Sequence, residues 1–314
     1  MLARDCVDVT LLSTLKREEN RKLCAYIIFL PAARRYPGHV SGVTMRLFSK
    51  ALRTANVAAT LGILLCSGLF WTGPLAAMEN LKVVRGVLIL EGKIESGDFI
   101  SVRNFLSEES NFKKMNGEVY LASAGGNLIE ALRIGYLIRH LQLSTNAPSR
   151  IPPIVKDSES VVIHPSDLAN PSNYYRCTSA CFLLYVAGVY RREAGLLGLH
   201  HPQLDRKMVE VNDKDISIAM VDVRDKLKNY FAEMNVPNKY LDLMFSLPPN
   251  KLRWITKSEF DADLKGYVPQ VRVLLDAKCN SRLETDHSNE MHACIARIMT
   301  DLRMEAWRKI FHRT

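Results

Sequence analysis

Residues 118–141 constrain the fold more than any other segment of this sequence. Residues 118–122 (EVYLA) are typical of a short buried strand, and the Ser-Ala-Gly-Gly run at 123–126 ends it. Asn127 is a favourable N-cap residue, and the apolar residues after it recur at helical spacing over 128–142. A strand that turns through two glycines into an amphipathic helix is half of a βαβ unit, so the sequence predicts an α/β fold.

The rest of the chain alternates in the same way between apolar strands and amphipathic helices. Continuous buried strands are predicted at residues 83–90 and 196–199, and a helix capped by Asp98 is predicted between them. Further helices are predicted to begin near residue 178 and to cover 216–234 and 288–312. The proline-rich residues 144–173 are predicted to form a surface insertion. After residue 267 the apolar pattern typical of a buried core weakens.

Composition and charge exclude several classes of protein. Of 314 residues, 47% are hydrophobic and 24% are charged, which excludes disordered, collagen-like and polytopic membrane proteins. The formal net charge is +9, but residues 1–77 carry +6 of it and leave +3 on the remainder. No basic stripe interleaved with aromatic residues occurs after residue 77, so we expect no nucleic acid as a partner.

The N-terminal segment has the pattern of an export signal. Residues 57–71 are uncharged, three basic residues precede them, and a Gly-Pro pair and Leu75-Ala76-Ala77 follow. Leu75 and Ala77 would stand at positions −3 and −1 of a cleavage site. The alternative is a retained anchor, because the uncharged residues 54–77 are long enough to span a bilayer. Either way, residues 78–314 are predicted to be periplasmic, free or anchored to the inner membrane.

The translation start is a separate question. Residues 1–44 do not fit a secretory leader, because a signal peptide begins close to its basic region and Met45 stands at that point. Met45 is therefore predicted to be the true start. The alternative is a cytoplasmic N-terminal extension without a defined fold.

Four cysteines lie in the exported part of the chain: Cys177, Cys181, Cys279 and Cys294. A Cys279–Cys294 disulfide would close a loop of about 15 residues and contribute about 3 kcal/mol to a segment with little core of its own. Cys177 and Cys181 could either pair or pack. The four make a weak metal set, since no CxxC pair is present, and we expect no metal or cofactor.

Three features could carry chemistry, and each has a plainer alternative. Ser179 stands at the predicted start of an apolar helix, whose dipole could activate its hydroxyl, or it is only an N-cap. His200 follows a strand and could serve as a general base, or it is a turn residue. Gly125 and Gly126 could present backbone N–H groups to an oxyanion, or they form an ordinary turn.

Together these residues resemble the ClpP/crotonase-like superfamily, which includes the Clp protease proteolytic subunit and signal peptide peptidase A. Its Ser-Pro-Gly-Gly oxyanion turn matches residues 123–126, except that Ala124 replaces the proline. Its nucleophilic Ser stands nine residues before a Gly, as Ser179 stands before Gly188, and its His precedes a Pro by two residues, which selects His200. The resemblance covers residues 81–268 and is most like an exported branch with a Cys-x-Ser-Ala-Cys-Phe run.

The resemblance implies a fold and a domain division. The fold would be an α/β spiral of ββα units with a short C-terminal helical segment. Residues 1–77 would be the extension and signal, 78–268 the ClpP/crotonase-like domain, and 269–314 a helical tail. Members assemble into rings or trimers, so a homo-oligomer is also implied. The C-terminal helix, with Trp307, Ile310 and Phe311, could bury one face in that interface or pack on its own domain.

The resemblance also implies an exported serine hydrolase, a peptidase acting on a peptide or protein substrate. Ser179 would be the nucleophile and His200 the base, and Gly125, Gly126 and Ala180 would form the oxyanion hole.

The main departure from the superfamily concerns the third catalytic residue, an Asp. An Asp would be expected near Leu252, where no carboxylate stands. Asn250 could orient the imidazole less strongly, Asp242 is a more distant candidate, and a Ser-His dyad could act alone at a lower rate. The missing acid favours an alternative function, a non-catalytic periplasmic binding or scaffold protein on the same fold.

Overall fold

The computed structural model describes residues 78, 80–149, 163–192, 194–203, 213–279 and 289–312. These residues belong to the unit Thr72–Thr314. The export signal, the alternative anchor at 54–77 and the Met45 start all lie outside the described residues. Within the described ranges, no helix is long and apolar enough to cross a membrane.

The strands of the described residues form two sheets. They are β1 (Asn80–Val84), β2 (Val87–Glu91), β3 (Glu118–Ala122), β4 (Ser144–Asn146), β5 (Cys177–Thr178), β6 (Tyr190–Arg191), β7 (Leu197–His200), β8 (Leu252–Trp254) and β9 (Gly266–Tyr267). The larger sheet has the order β1-β2-β3-β4-β6-β9, and the smaller has the order β5-β7-β8. Strands β2, β3, β4 and β6 pair in parallel, and β1 and β9 pair antiparallel at the two edges.

Helices connect and cover these strands. They are α1 (Asp98–Ser107), α2 (Glu109–Lys113), α3 (Leu128–His140), α4 (Pro171–Tyr174), α5 (Ala180–Val186), α6 (Asp213–Glu233), α7 (Lys239–Ser246), α8 (Lys257–Asp263), α9 (Pro269–Cys279) and α10 (Asn289–Phe311). The Asn127 side chain accepts from Ile129 N and Glu130 N at 3.0 and 3.1 Å, which confirms it as the cap of α3. The α/β prediction is confirmed at the level of a mixed α/β fold.

Two local predictions are wrong. Residues 83–90 are not one strand, because Arg85 and Gly86 adopt φ of 50° and 83° and form a two-residue hairpin turn between β1 and β2. Asp98 is not an N-cap. Gly97 occupies the cap position, and Asp98 is the first residue of α1 with its side chain fully buried.

The central strands β2 and β3 are buried on both faces, which explains their largely apolar sequences. Alternate residues of β2 and β3 contact the main core, and those between them form a second cluster of Val87, Ile89, Tyr120 and Ala122 on the opposite face. Ile163 and Leu168 complete this second cluster. The described end of the predicted surface insertion therefore covers a sheet face.

The C-terminal helices add to the core, contrary to the expectation that the core fades after residue 267. Val271 and Leu275 of α9 pack with Met299 of α10 in a third apolar cluster. Trp307 is buried, and its Nε1 donates to Leu106 O at 2.8 Å, so α10 packs on its own unit. The predicted Cys279–Cys294 disulfide is present and links α9 to α10. The homo-oligomer stays a prediction.

Gly135 of α3 allows close packing of three helices. Tyr230 of α6 is fully buried, and its hydroxyl donates to Leu183 O of α5 at 2.8 Å. A Cβ atom on Gly135 would overlap that hydroxyl. The absence of a side chain at residue 135 therefore makes room for the hydrogen bond.

We expect Gly135→Ala to lower the free energy of unfolding by about 1–3 kcal/mol, because it overpacks the core. Gly→Ala inside a helix ordinarily raises the free energy of unfolding by about 1 kcal/mol. A decrease at residue 135 would therefore indicate the steric overlap. Urea denaturation followed by circular dichroism measures it. Adding Tyr230→Phe removes the overlapping hydroxyl and should recover part of the loss. A double variant less stable than Gly135→Ala alone would contradict the steric explanation.

Candidate active site

Ser179 occupies a sharp turn between a strand and a helix. β5 ends at Thr178, α5 begins at Ala180, and Ser179 between them has φ 60° and ψ −127°. Such a conformation costs a non-glycine residue about 1–3 kcal/mol. Ser179 is also the one partly exposed residue within the buried stretch 177–189. Ser179 is the N-cap residue of α5 by position, but its side chain makes no capping hydrogen bond to the helix. The turn has the form of a nucleophile elbow.

A disulfide brackets this turn. Cys177 and Cys181 are fully buried and bonded to each other, which settles whether they pair or pack. Neither sulfur can act as a nucleophilic thiolate in this form. Within the described ranges, no group of three His, Cys, Asp or Glu side chains could hold a metal ion.

The glycine turn after β3 lies directly against Ser179. A Cβ atom on Gly125 would come within 2.5 Å of Ser179 Cβ and 2.9 Å of Ser179 Oγ. The two turns are also joined by hydrogen bonds, from Thr178 N to Ser123 O at 3.1 Å and from Thr178 Oγ1 to Ala124 O at 3.1 Å. The structure thus brings together two segments that are more than fifty residues apart in the sequence.

The predicted oxyanion-hole residues differ in whether their backbone N–H already donates to an acceptor. The N–H of Gly125 donates to Ser123 Oγ at 3.0 Å, so Gly125 contributes space for Ser179 and not a free donor. Among the described residues, no acceptor contacts the backbone N–H of Gly126 or of Ala180. Gly126 is exposed and Ala180 directly follows Ser179. These two N–H groups are therefore the candidate donors to a developing oxyanion.

His200 ends β7, the strand that pairs in parallel with β5. Ser179 and His200 therefore lie at the same ends of neighbouring strands. Nδ1 of His200 lies 2.6 Å from the carbonyl oxygen of His201. Because a carbonyl oxygen only accepts, Nδ1 is the donor in this contact, and in a neutral imidazole Nε2 is then the acceptor. His201 is engaged elsewhere, with its Nδ1 2.7 Å from Pro202 O and its ring packed on Phe245.

The position opposite His200 is apolar. β7 pairs antiparallel with β8, and this register places Leu252 directly across from His200, where side chains share one face. Leu252 is 42% exposed. Asn250 is exposed in the turn before β8, and its orienting role stays a prediction. Asp242 of α7 forms an ion pair with Arg224 at 2.7 Å.

Sequence reasoning missed the segment that supports the glycine turn. Ile94 N donates to Gly125 O at 2.9 Å, and Asn127 N donates to Ile94 O at 2.7 Å. A Cβ atom on Gly126 would overlap the Ile94 carbonyl, so this position requires glycine. Residue 94 carries no chemical signal in the sequence, because its contribution comes entirely from its backbone.

Comparison with known proteins assigns no family to the chain. No protein-family model matches it, and no curated protein matches it. A function must therefore be argued from the geometry of the residues themselves.

Proposed function

We propose that this protein is a serine hydrolase in which Ser179 is the nucleophile and His200 is the general base. The observation that carries the proposal is the strained, partly exposed turn at Ser179, packed against Gly125. The next residue after each of these two, Ala180 and Gly126, has a backbone N–H without an acceptor among the described residues. Strained residues persist where the surroundings over-determine them, and they cluster at active sites. An ordinary helix start would not need this conformation.

The chemistry follows from the atoms present. Nε2 of His200 accepts the proton of Ser179 while Oγ bonds to the carbonyl carbon of the substrate, whose oxygen takes the electron pair. The N–H groups of Gly126 and Ala180 donate to that oxyanion. The intermediate then expels the leaving group, which takes the proton from His200. Water, deprotonated by His200, attacks the acyl-enzyme and releases the acid and Ser179.

The finer architecture, substrate and location belong to the same proposal. Two strand-turn-helix units, β3 to α3 and β5 to α5, supply the two halves of the site, as a ClpP/crotonase-like spiral would. The proposed substrate is a peptide or protein in the periplasm, reached after export with or without an inner-membrane anchor. Two disulfides are consistent with an oxidising compartment. The apolar residue opposite His200 favours the second candidate, a non-catalytic binding or scaffold protein.

The first expected result is labelling of Ser179 by a fluorophosphonate probe, since such probes react with activated serines. Ser179→Ala should abolish labelling, and His200→Ala should slow it by about 10³-fold because the base is lost. Gel fluorescence measures the rate, and mass spectrometry locates the label.

The matched control is Ser246→Ala, which removes an exposed serine whose Oγ donates to Leu243 O at 2.9 Å. It should label as the wild type does. Circular dichroism establishes that each variant is folded. A folded wild type that stays unlabelled, beside a serine hydrolase that reacts, would contradict the proposal and favour the non-catalytic alternative.

Leu252→Asp should raise the labelling rate by about tenfold or more, because it places a carboxylate beside the His200 imidazole and stabilises the imidazolium. Leu252 is partly exposed, so the charge remains partly hydrated. Leu252→Asn is the uncharged control and should give a smaller gain. An unchanged rate in folded Leu252→Asp would show that residue 252 does not reach the imidazole.

Gly125→Ala should slow labelling by about 10²-fold, because its Cβ would displace Ser179 from its position. Gly266→Ala separates this effect from backbone strain. Gly266 has φ +90°, close to the +97° of Gly125, and has no atom within 4 Å of an added Cβ. It should label at nearly the wild-type rate. Equal losses in both variants would mean that strain, and not contact with Ser179, is responsible.

A further inference from the structure

Asp98 is a fully buried carboxylate, and both of its oxygens accept hydrogen bonds from backbone nitrogens. Its Oδ1 accepts from Met78 N at 2.8 Å and its Oδ2 accepts from Glu95 N at 2.7 Å. In the part of the chain that the structure describes, no Lys, Arg or His side chain forms an ion pair with Asp98. Burial, and then the charges of Glu130 and Glu95, raise the pKa of Asp98. Glu130 is itself paired with Arg133 at 3.1 Å, whereas a charged carboxylate buried without a cation of its own is unfavourable.

The nitrogen of Met78 is held inside the protein. Met78 is buried, and its side chain belongs to the main core. The hydrogen bond to Asp98 spans 20 residues of sequence, so it is a tertiary contact and not a local turn. Independently, the Leu75-Ala76-Ala77 pattern places a cleavage site at the bond between Ala77 and Met78. Cleavage at the site predicted from the sequence would therefore free the same Met78 nitrogen that donates to Asp98 in the structure.

We propose that cleavage after Ala77 frees the α-amino group of Met78, and that the resulting ammonium forms a buried ion pair with Asp98. The amide bond between Ala77 and Met78 breaks, and water supplies the hydroxyl to the Ala77 carboxyl and a proton to the Met78 nitrogen. A second proton from solvent completes the ammonium. The catalyst is a signal peptidase of the exporting cell. The inference depends on the export included in the proposed function, and not on hydrolysis by Ser179.

The ion pair would stabilise the glycine turn through residues 94–98. Asp98 binds Glu95 N, and the neighbouring Ile94 binds both Gly125 O and Asn127 N. Removal of the leader therefore supplies the charge that holds residues 94–98, which in turn hold the glycine turn. The Met78 amino group is a positioning group, since it does not contact the reacting atoms.

The test uses the full chain, expressed in a bacterium with a periplasm and purified from it. Its N-terminal sequence should begin at Met78. Native protein is then treated with acetic anhydride, and acetylation of the α-amino group is followed by mass spectrometry. We expect a rate about tenfold or more below that of the same protein in urea, because a buried, ion-paired amine stays protonated.

Asp98→Asn removes the charge and keeps one of the two acceptor oxygens, since the amide nitrogen can only donate. It should lose the protection from acetylation and lower the Tm by about 10 °C. Asp222→Asn is the matched control, since this 59% exposed carboxylate pairs with Lys226 at the surface, and it should retain both properties.

A mature chain that begins elsewhere, or a native Met78 amine that is acetylated as fast as in urea, would overturn the inference. If Asp98→Asn does not fold, the N-terminal sequence and the acetylation rate of the wild type still test the inference. Fluorophosphonate labelling of the same sample reports separately on Ser179. A protected but unlabelled protein would remove the hydrolase proposal and leave the ion pair standing.

Discussion

Two backbone hydrogen bonds hold the strained turn at Ser179, and the rest of the site depends on them. Ser179 N donates to Gly198 O at 2.9 Å, which ties the turn to the strand that carries His200, and Thr178 N donates to Ser123 O at 3.1 Å, which ties it to the glycine turn. Each bond contributes about 0.5–1.5 kcal/mol net, against a backbone strain of about 1–3 kcal/mol. Because these terms nearly cancel, the disulfide that brackets Ser179 is the further constraint that keeps the turn closed.

Features with a local cause could be predicted from the sequence. The strand at 118–122, the glycine turn and the Asn127 cap follow one another along the chain, and each is indicated by residue types within a few positions. Ser179 is different. Nothing near it distinguishes a nucleophile from an N-cap, so the sequence indicates it only through a resemblance in spacing. The distinguishing property is its backbone conformation, which arises from pairing with β7 and is invisible in the local sequence.

Features that depend on distant segments could not be predicted. The pair Arg85-Gly86 lacks the usual Asn-Gly signal of a hairpin, so two strands are read from the sequence as one. The N–H of Gly125 is occupied because the Ser123 hydroxyl folds back onto it. Nδ1 of His200 contacts the His201 carbonyl, and no side-chain pattern can indicate such a partner. In each case the decisive group is backbone, or it is placed by a register that only the folded chain defines.

The disulfide at the turn also bears on the proposed export. Cys177 and Cys181 are fully buried, so the bond between them is shielded once the chain has folded. Cytosolic thiols are kept reduced, and a chain there would lack the constraint that offsets the strain at Ser179. On the proposed function, the disulfide beside Ser179 forms only after export, so this constraint on the turn is added in the compartment where the substrate is met.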